Sequence, residues 1–346
     1  MHRCFQLALS GAGTVAPNPM VGSVLVHNGS IIGEGYHQQF GQAHAELNCI
    51  KSVSEDNKAL IPKSTLYVSL EPCAHFGKTP PCADLIITQK IPRVVIGCKD
   101  SYKEVAGKGI AKLLAAGIEV ITGILEAEAK EINNRFFTFH ELERPYIILK
   151  WAQSNDHKIA HADFSSVMIS GDITNRLVHK WRSEEAAIMI GTNTAIHDNP
   201  TLNTRLWPGK NPVRVVIDKN LQLTTSSNLL LRGKATTIIF NDKKNEEIGG
   251  VIYKKTDSSK AVLPQILQQL YLQNINSVLV EGGTKLLQSF IDAGVWDEAR
   301  VITNEQLMLG DGIAAPVLKN VALIKTAKPG TDLIQYFKPS PTQLSH

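Results

Sequence analysis

A chain of 346 residues is long for one core, so two domains are the default expectation. Apolar residues make up 43% and charged residues 20%, ordinary for a globular protein, and no apolar run reaches the length of a membrane span. The net charge of +4 is small for this length and argues against a large nucleic-acid footprint, leaving room for a local basic patch.

Five cysteines form an odd, sparse set, unlike a disulfide framework. The opening MHRCFQLALS is too short and polar for a secretory signal. Together these read as a cytoplasmic protein with reduced thiols.

Taken in chain order, MVGSVLVHNGSIIGEGY predicts a hairpin turning at Asn28-Gly29, because both residues tolerate positive φ. A helix is predicted from near His44, with Leu47 and Ile50 on one face. STLYVSL and RVVIG are β-branched runs suited to buried strands, and CADLIITQK between them reads as a helix. GIAKLLAAG reads as a helix ending at Gly117, IEVITG as a strand, and EAEAKEINNRFFTFHEL as one helix. ELERPY, charged and closed by Pro145, marks the domain boundary. Beyond it YIILKWA, AAIMIG, PVRVVID and ATTIIF read as strands, and VLPQILQQLYLQ as a helix. SVLVEGGTKLLQSFIDAG reads as strand, Gly-Gly turn and helix, followed by the strand EARVIT and a frayed tail, KPSPTQLSH. Two α/β domains in series are expected, 1–143 and 144–346.

The first chemistry lies in HAE (44–46) and SLEPCAHFGKTPPC (69–82). His44 and Glu46 open the predicted helix, and Cys82 opens another, where unpaired N–H groups favour a thiolate. One imidazole and two thiolates make three zinc ligands and leave a fourth position for water, whose pKa zinc lowers to roughly 7. Glu46 can then carry the proton. Zinc nucleobase deaminases combine H-x-E with a later P-C-x-x-C; here eight residues separate the cysteines. The blander alternatives are packing cysteines beside a solvated helix start, and a structural zinc with His75 as fourth ligand.

In the second half, VLVEGGTKLL is a strand, two glycines and a helix. Gly282 and Gly283 let backbone approach a ligand, and the helix start can hold phosphate, though such glycines are often mere turns. GAGTVA (11–16) follows a helix rather than a strand and is set aside as a nucleotide motif.

APNPMVGSVLV, GEGYHQQFGQAHAE, LEPCAHFGKTPPCADLI and VAGKGIAKLLAAGIEV resemble the bifunctional riboflavin-biosynthesis deaminase/reductase family, whose long cysteine spacer they share. The resemblance implies a cytidine-deaminase-like domain that removes the amino group from 2,5-diamino-6-ribosylamino-4(3H)-pyrimidinone 5′-phosphate. His44, Cys73 and Cys82 would hold Zn²⁺ and Glu46 would shuttle the proton. Asn18, His75, Lys78 and Thr79 would line the substrate pocket, with Lys78 a phosphate partner. LKWAQSNDHKIA, AIMIGTNTAIHDNPTLNTR, PVRVVID and VEGGTKLL follow the same family's reductase. That implies a dihydrofolate-reductase-like domain using NADPH to turn the ribosyl group into ribityl, in a homo-oligomer. Lys150 and Glu281 would sit at the sugar, with Arg182 and Arg205 as further substrate residues. Asp198, Gly283, Thr284 and Lys285 would hold the cofactor. The sequence departs from the pattern at DSYKEVAG, which keeps only Asp100, at His157, and at Met168 in place of a tryptophan. Two other readings stand beside this one: a deaminase fused to a degraded reductase, and a zinc module acting on RNA.

Overall fold

The computed structural model of the chain describes residues 1–76, 80–102, 106–165, 167–224, 229–231 and 235–340, and divides into two units, Met1–Glu143 and Arg144–His346.

The first unit begins with helix α1 (His2–Leu9) and strands β1 (Gly22–His27) and β2 (Ser30–Tyr36). Helix α2 (Ala45–Lys51), β3 (Thr65–Leu70), α3 (Cys82–Thr88) and β4 (Arg93–Cys98) follow. It closes with α4 (Lys108–Ala115), β5 (Glu119–Ile121), α5 (Glu126–Ile132) and α6 (Asn134–Glu141). The sheet order is β2-β1-β3-β4-β5, antiparallel through β1 and parallel from β3 to β5. The hairpin turns where expected, with Asn28 at φ 47° and Gly29 at φ 79°. Leu25, Leu66, Val68, Val94 and Ile96 form its buried core with Cys49 of α2 and Ile86 of α3.

The stretch expected as one helix over EAEAKEINNRFFTFHEL is two helices. Asn133 breaks it: its buried side chain accepts from Met20 N–H (2.7 Å) and donates to Met20 C=O (2.9 Å). Asn133 itself leaves helical geometry, at φ −106° and ψ 22°, where the side chain reaches Met20. The bond also anchors the Pro17–Met20 loop.

Helix α2 lies hard against β2. A Cβ on Gly35 would stand 2.2 Å from Cys49 N and 2.6 Å from Ala45 O. The GEG of the hairpin is therefore what lets the helix beginning at His44 sit directly on the sheet.

In the second unit, β6 (Tyr146–Ser154), β7 (Lys158–Ala160), α7 (Asp172–Glu184), β8 (Ala187–Gly191) and α8 (Thr192–His197) come first. Next are β9 (Val213–Ile217), β10 (Thr237–Asn241), β11 (Glu246–Ile248), β12 (Val251–Lys255), α9 (Val262–Leu272), β13 (Ser277–Val280) and α10 (Thr284–Ala293). β14 (Glu298–Asn304), β15 (Ile313–Ala314), β16 (Val321–Ala327) and β17 (Asp332–Pro339) complete it. The described residues form a ten-stranded sheet, β11-β12-β10-β9-β8-β13-β6-β14-β17-β16, parallel from β12 to β14 and antiparallel at both edges. Ile147, Leu149 and Trp151 of β6 feed one core and Tyr146 and Ile148 another, so both faces are covered, as a parallel sheet requires. Lys338 and Pro339, expected in the frayed tail, instead finish β17; residues 341–346 lie outside the described set.

Gly35→Ala should overpack the α2–β2 contact, at a cost of about 1–3 kcal/mol, and displace His44. We expect a lower unfolding temperature for the first unit and less bound zinc by metal analysis. Full zinc content with unchanged unfolding would contradict this packing account.

Candidate active sites

Three separate segments meet at the end of β3. The strand delivers Glu71, Pro72 and Cys73; His44 is the N-cap of α2; Cys82 is the first residue of α3. His44 Nδ1 lies 3.5 Å from Cys73 Sγ and 3.4 Å from Cys82 Sγ, and all three donor atoms fall within 4.8 Å of one another. A tetrahedral zinc, at roughly 2.3 Å from sulfur and 2.05 Å from nitrogen, separates such donors by roughly 3.5 Å. The residues fit zinc. Cys82 N–H, at the first turn of α3, donates to Cys73 Sγ (3.3 Å). Hydrogen bonding from Cys82, with further help from His44, pulls the Cys73 thiol down to about 4, while Cys82 is pushed up because the two sulfurs compete for one proton. Glu46 is only 3% exposed, and burial, then the Cys73 sulfur, pushes its carboxyl up. Among the described residues His75 is not part of this triangle; it is exposed and meets the Tyr102 ring edge-on, centroids 6.5 Å apart. Three protein donors, not four, match a site open to water. Lys78 and Thr79 lie outside the described residues.

Two residues beside this site were not singled out by the sequence reading. Glu71 is buried, and its carboxylate accepts from the N–H groups of Asp100, Gly107, Gly109 and Ile110 at 3.0–3.3 Å. It caps α4 and ties the Asp100 segment to the loop that carries Cys73. Burial pushes the carboxyl of Asp100 itself up to about 7. A Cβ on Gly109 would come 1.9 Å from Pro72 O, so only glycine permits the approach. His37, also buried, meets His44 edge-on at 5.3 Å and contacts Asn18 Nδ2 through Nε2 at 3.3 Å.

The second unit holds a cavity of about 1160 Å³ at the carboxyl ends of β8, β9 and β13, where parallel sheets bind ligands. Lys150 of β6, Arg182 of α7 and Glu281, directly after β13, line it together. Arg182 donates from Nε and Nη2 to the two Glu281 oxygens, each at 2.8 Å, and Lys150 Nζ lies 3.5 Å away. Burial alone would raise Glu281, but Arg182 and then Lys150 hold it at about 2; burial lowers Lys150. Two cations around one anion leave a positive charge facing the cavity.

Asp198, Gly283, Thr284 and Lys285 also line the cavity. Gly283 N–H is engaged by Thr194 Oγ1 (3.0 Å), and Thr284 Oγ1 donates to Ala314 O, so these two groups brace the start of α10. A Cβ on Gly282 would meet Leu286 Cδ2 at 2.9 Å and Gly191 N at 3.5 Å, so the glycine lets this turn pack closely against the start of α10 and the end of β8. Arg205 does not line the cavity; it is exposed and bonds Thr201 and Asn203. Met168, where a tryptophan was expected, is 80% exposed at the cavity, and the aromatic surface nearby is Phe164 stacked on His197, centroids 4.6 Å apart. No helix is long and apolar enough to cross a membrane among the described residues.

Fold and sites define a deaminase of the zinc type followed by an α/β reductase. The description "Cytidine and deoxycytidylate deaminase zinc-binding region" matches residues 1–98, and "RibD C-terminal domain" matches 145–325. The chain is 40% identical to the riboflavin biosynthesis protein RibD of Aquifex aeolicus, over 98% of this chain and 97% of that one. It superposes with a TM-score of 0.90 on a Thermotoga maritima deaminase/reductase, named for diaminohydroxyphosphoribosylaminopyrimidine and 5-amino-6-(5-phosphoribosylamino)uracil, at 36% identity over 98% and 97% of the two chains. Acinetobacter baumannii RibD superposes at 0.88 and 30% identity, over the same shares. The chain belongs to the RibD family of bifunctional riboflavin-biosynthesis enzymes, with a cytidine-deaminase-like domain followed by a dihydrofolate-reductase-like one.

Glu281→Ala would leave Lys150 and Arg182 as buried, unpaired cations, which costs about 3–5 kcal/mol. All four tryptophans lie in the second unit, so tryptophan fluorescence during denaturant unfolding reads this loss directly. A loss below about 1 kcal/mol would contradict the burial of the triad.

Proposed function

We propose that the first unit hydrolyses the amino group of 2,5-diamino-6-ribosylamino-4(3H)-pyrimidinone 5′-phosphate, and that the second then reduces the ribosyl group to ribityl with NADPH. The carrying observation is the His44–Cys73–Cys82 triangle at zinc spacing, with the buried carboxyl of Glu46 in the same helix turn as His44.

His44, Cys73 and Cys82 hold zinc, which when bound supplies the Lewis acidity that makes water acidic near neutral pH. Water adds to the ring carbon bearing the amino group. Glu46 moves one proton of that water to the neighbouring ring nitrogen and then carries the proton of the new hydroxyl to the departing amino nitrogen; the C–N bond breaks, ammonia leaves and a carbonyl remains. The raised affinity of Glu46 for a proton suits both halves of this transfer. Asn18, His75, Lys78 and Thr79 hold the pyrimidine and its phosphate.

Reduction adds two hydrogens to the sugar. NADPH, when bound, supplies the hydride for the anomeric carbon. The ring oxygen takes a proton as the ring opens, and Lys150, whose ammonium burial destabilises, is the donor. Glu281 and Arg182 hold Lys150 beside the sugar. Asp198, Gly283, Thr284 and Lys285 hold the dinucleotide. The cavity, at about 1160 Å³, exceeds the roughly 300–1,000 Å³ typical of small-molecule sites, consistent with a dinucleotide and a sugar phosphate together. We further propose that the enzyme works in the cytoplasm, in keeping with its five free cysteines. A homo-oligomeric assembly agrees with the exposed Leu323 and Ile324 on edge strand β16; sedimentation velocity tests it, and a monomer at micromolar concentration would refute it.

Two measurements test the chemistry. Glu46→Gln should keep zinc but lose ammonia release by at least a hundredfold, the scale of one general acid–base group; retained turnover would refute its role. Feeding the diaminopyrimidine phosphate with and without NADPH should yield two products by mass spectrometry. Without NADPH an amino group is exchanged for oxygen; with it two hydrogens are added as well. Deamination that proceeds with no reduction would refute the reductase assignment.

A further inference from the structure

Asn18 and the zinc ligand His44 are joined by one buried side chain, His37. Its Nδ1 lies 3.1 Å from Ala43 O, and its Nε2 lies 3.3 Å from Asn18 Nδ2. A carbonyl oxygen can only accept and an amide nitrogen can only donate. His37 therefore carries its hydrogen on Nδ1 and accepts at Nε2, as a neutral imidazole with both nitrogens engaged. Its ring also packs edge-on against His44.

This arrangement decides which end of the Asn18 amide is free. The nitrogen is turned to His37; the oxygen accepts no hydrogen bond among the described residues. The surrounding backbone holds both partners. His37 N–H donates to Val21 O, Phe40 N–H to Thr14 O, and Thr14 Oγ1 to Gln38 O, lacing 14–21 to 37–40. Asn133 fixes Met20 from the other side. An amide whose flip is blocked presents one fixed acceptor to a ligand.

The geometry points to His37 as a positioning residue of the deaminase site: it pins the Asn18 amide so that Oδ1 accepts an N–H group of the pyrimidine substrate. This rests on the proposal that Asn18 touches the substrate. A substrate rich in ring N–H and amino groups suits a fixed acceptor, and a group bearing only acceptors would be refused, because it would leave Oδ1 unpaired. His37 itself, 3% exposed, acts through Asn18.

A double-mutant cycle on the full-length, zinc-loaded enzyme separates positioning from general support. Ammonia release from the diaminopyrimidine phosphate is measured for Asn18→Ala, His37→Phe and the double variant, with zinc content determined for each. His37→Phe keeps a ring against His44 and removes both nitrogens. Each single change should raise KM about tenfold, the effect of one hydrogen bond, and change kcat less. The double variant should be no worse than the weaker single, within about twofold, because both remove the same contact. Multiplicative losses would overturn the positioning role of His37. An unchanged KM in Asn18→Ala would overturn the Asn18 contact itself, and the positioning role with it. Should His37→Phe lose zinc, His37→Gln and His37→Met carry the comparison. Gln retains an acceptor near the Nε2 position and Met does not, so KM should be about tenfold lower in Gln; equal values would overturn the role.

Discussion

The first unit is organised around one geometric demand. An imidazole nitrogen and two sulfurs, from three segments of chain, must stand about 3.5 Å apart with a carboxyl beside them. Each segment ends a regular element, so the rigid parts of the fold set the spacing. β3 carries Cys73, α3 starts at Cys82, and α2 is capped by His44. Each placement has a local cause: Gly35 lets α2 press on the sheet, Cys82 N–H bonds the Cys73 sulfur, and Glu71 clamps α4 beneath the loop.

The second unit answers a different demand, that of a buried charge cluster facing a cavity. Arg182 and Glu281 come from α7 and from the end of β13, 99 residues apart, and meet in a bidentate pair with Lys150 close by. Such a cluster contributes little net stability by itself, since desolvation offsets attraction. Its value lies in presenting a lysine of lowered proton affinity at the mouth of three parallel strands.

What was legible in the sequence was local. HAE, EPC and PPC mark element ends and keep their meaning whatever surrounds them, and the hairpin turn was readable from Asn28 and Gly29 alone. The residues that escaped notice act on partners far along the chain. Glu71 bonds backbone 29 to 39 positions away, and Asn133 bonds Met20 across 113. Nothing in the apolar period of EAEAKEINNRFFTFHEL announces that its central asparagine is needed elsewhere, so the break between α5 and α6 was invisible. β16 and β17 escaped because their alternation is weak and half exposed. Arg205 was drawn into the site by a sequence pattern, yet its side chain faces solvent rather than the cavity.

The donor geometry is the claim on which the deaminase account stands, and zinc K-edge X-ray absorption of freshly purified protein tests it most directly. The account predicts two sulfurs at about 2.3 Å and two nitrogen or oxygen atoms at about 2.0 Å, with one imidazole among them. A single sulfur, a second imidazole completing four protein ligands, or a metal content far below one per chain would contradict it.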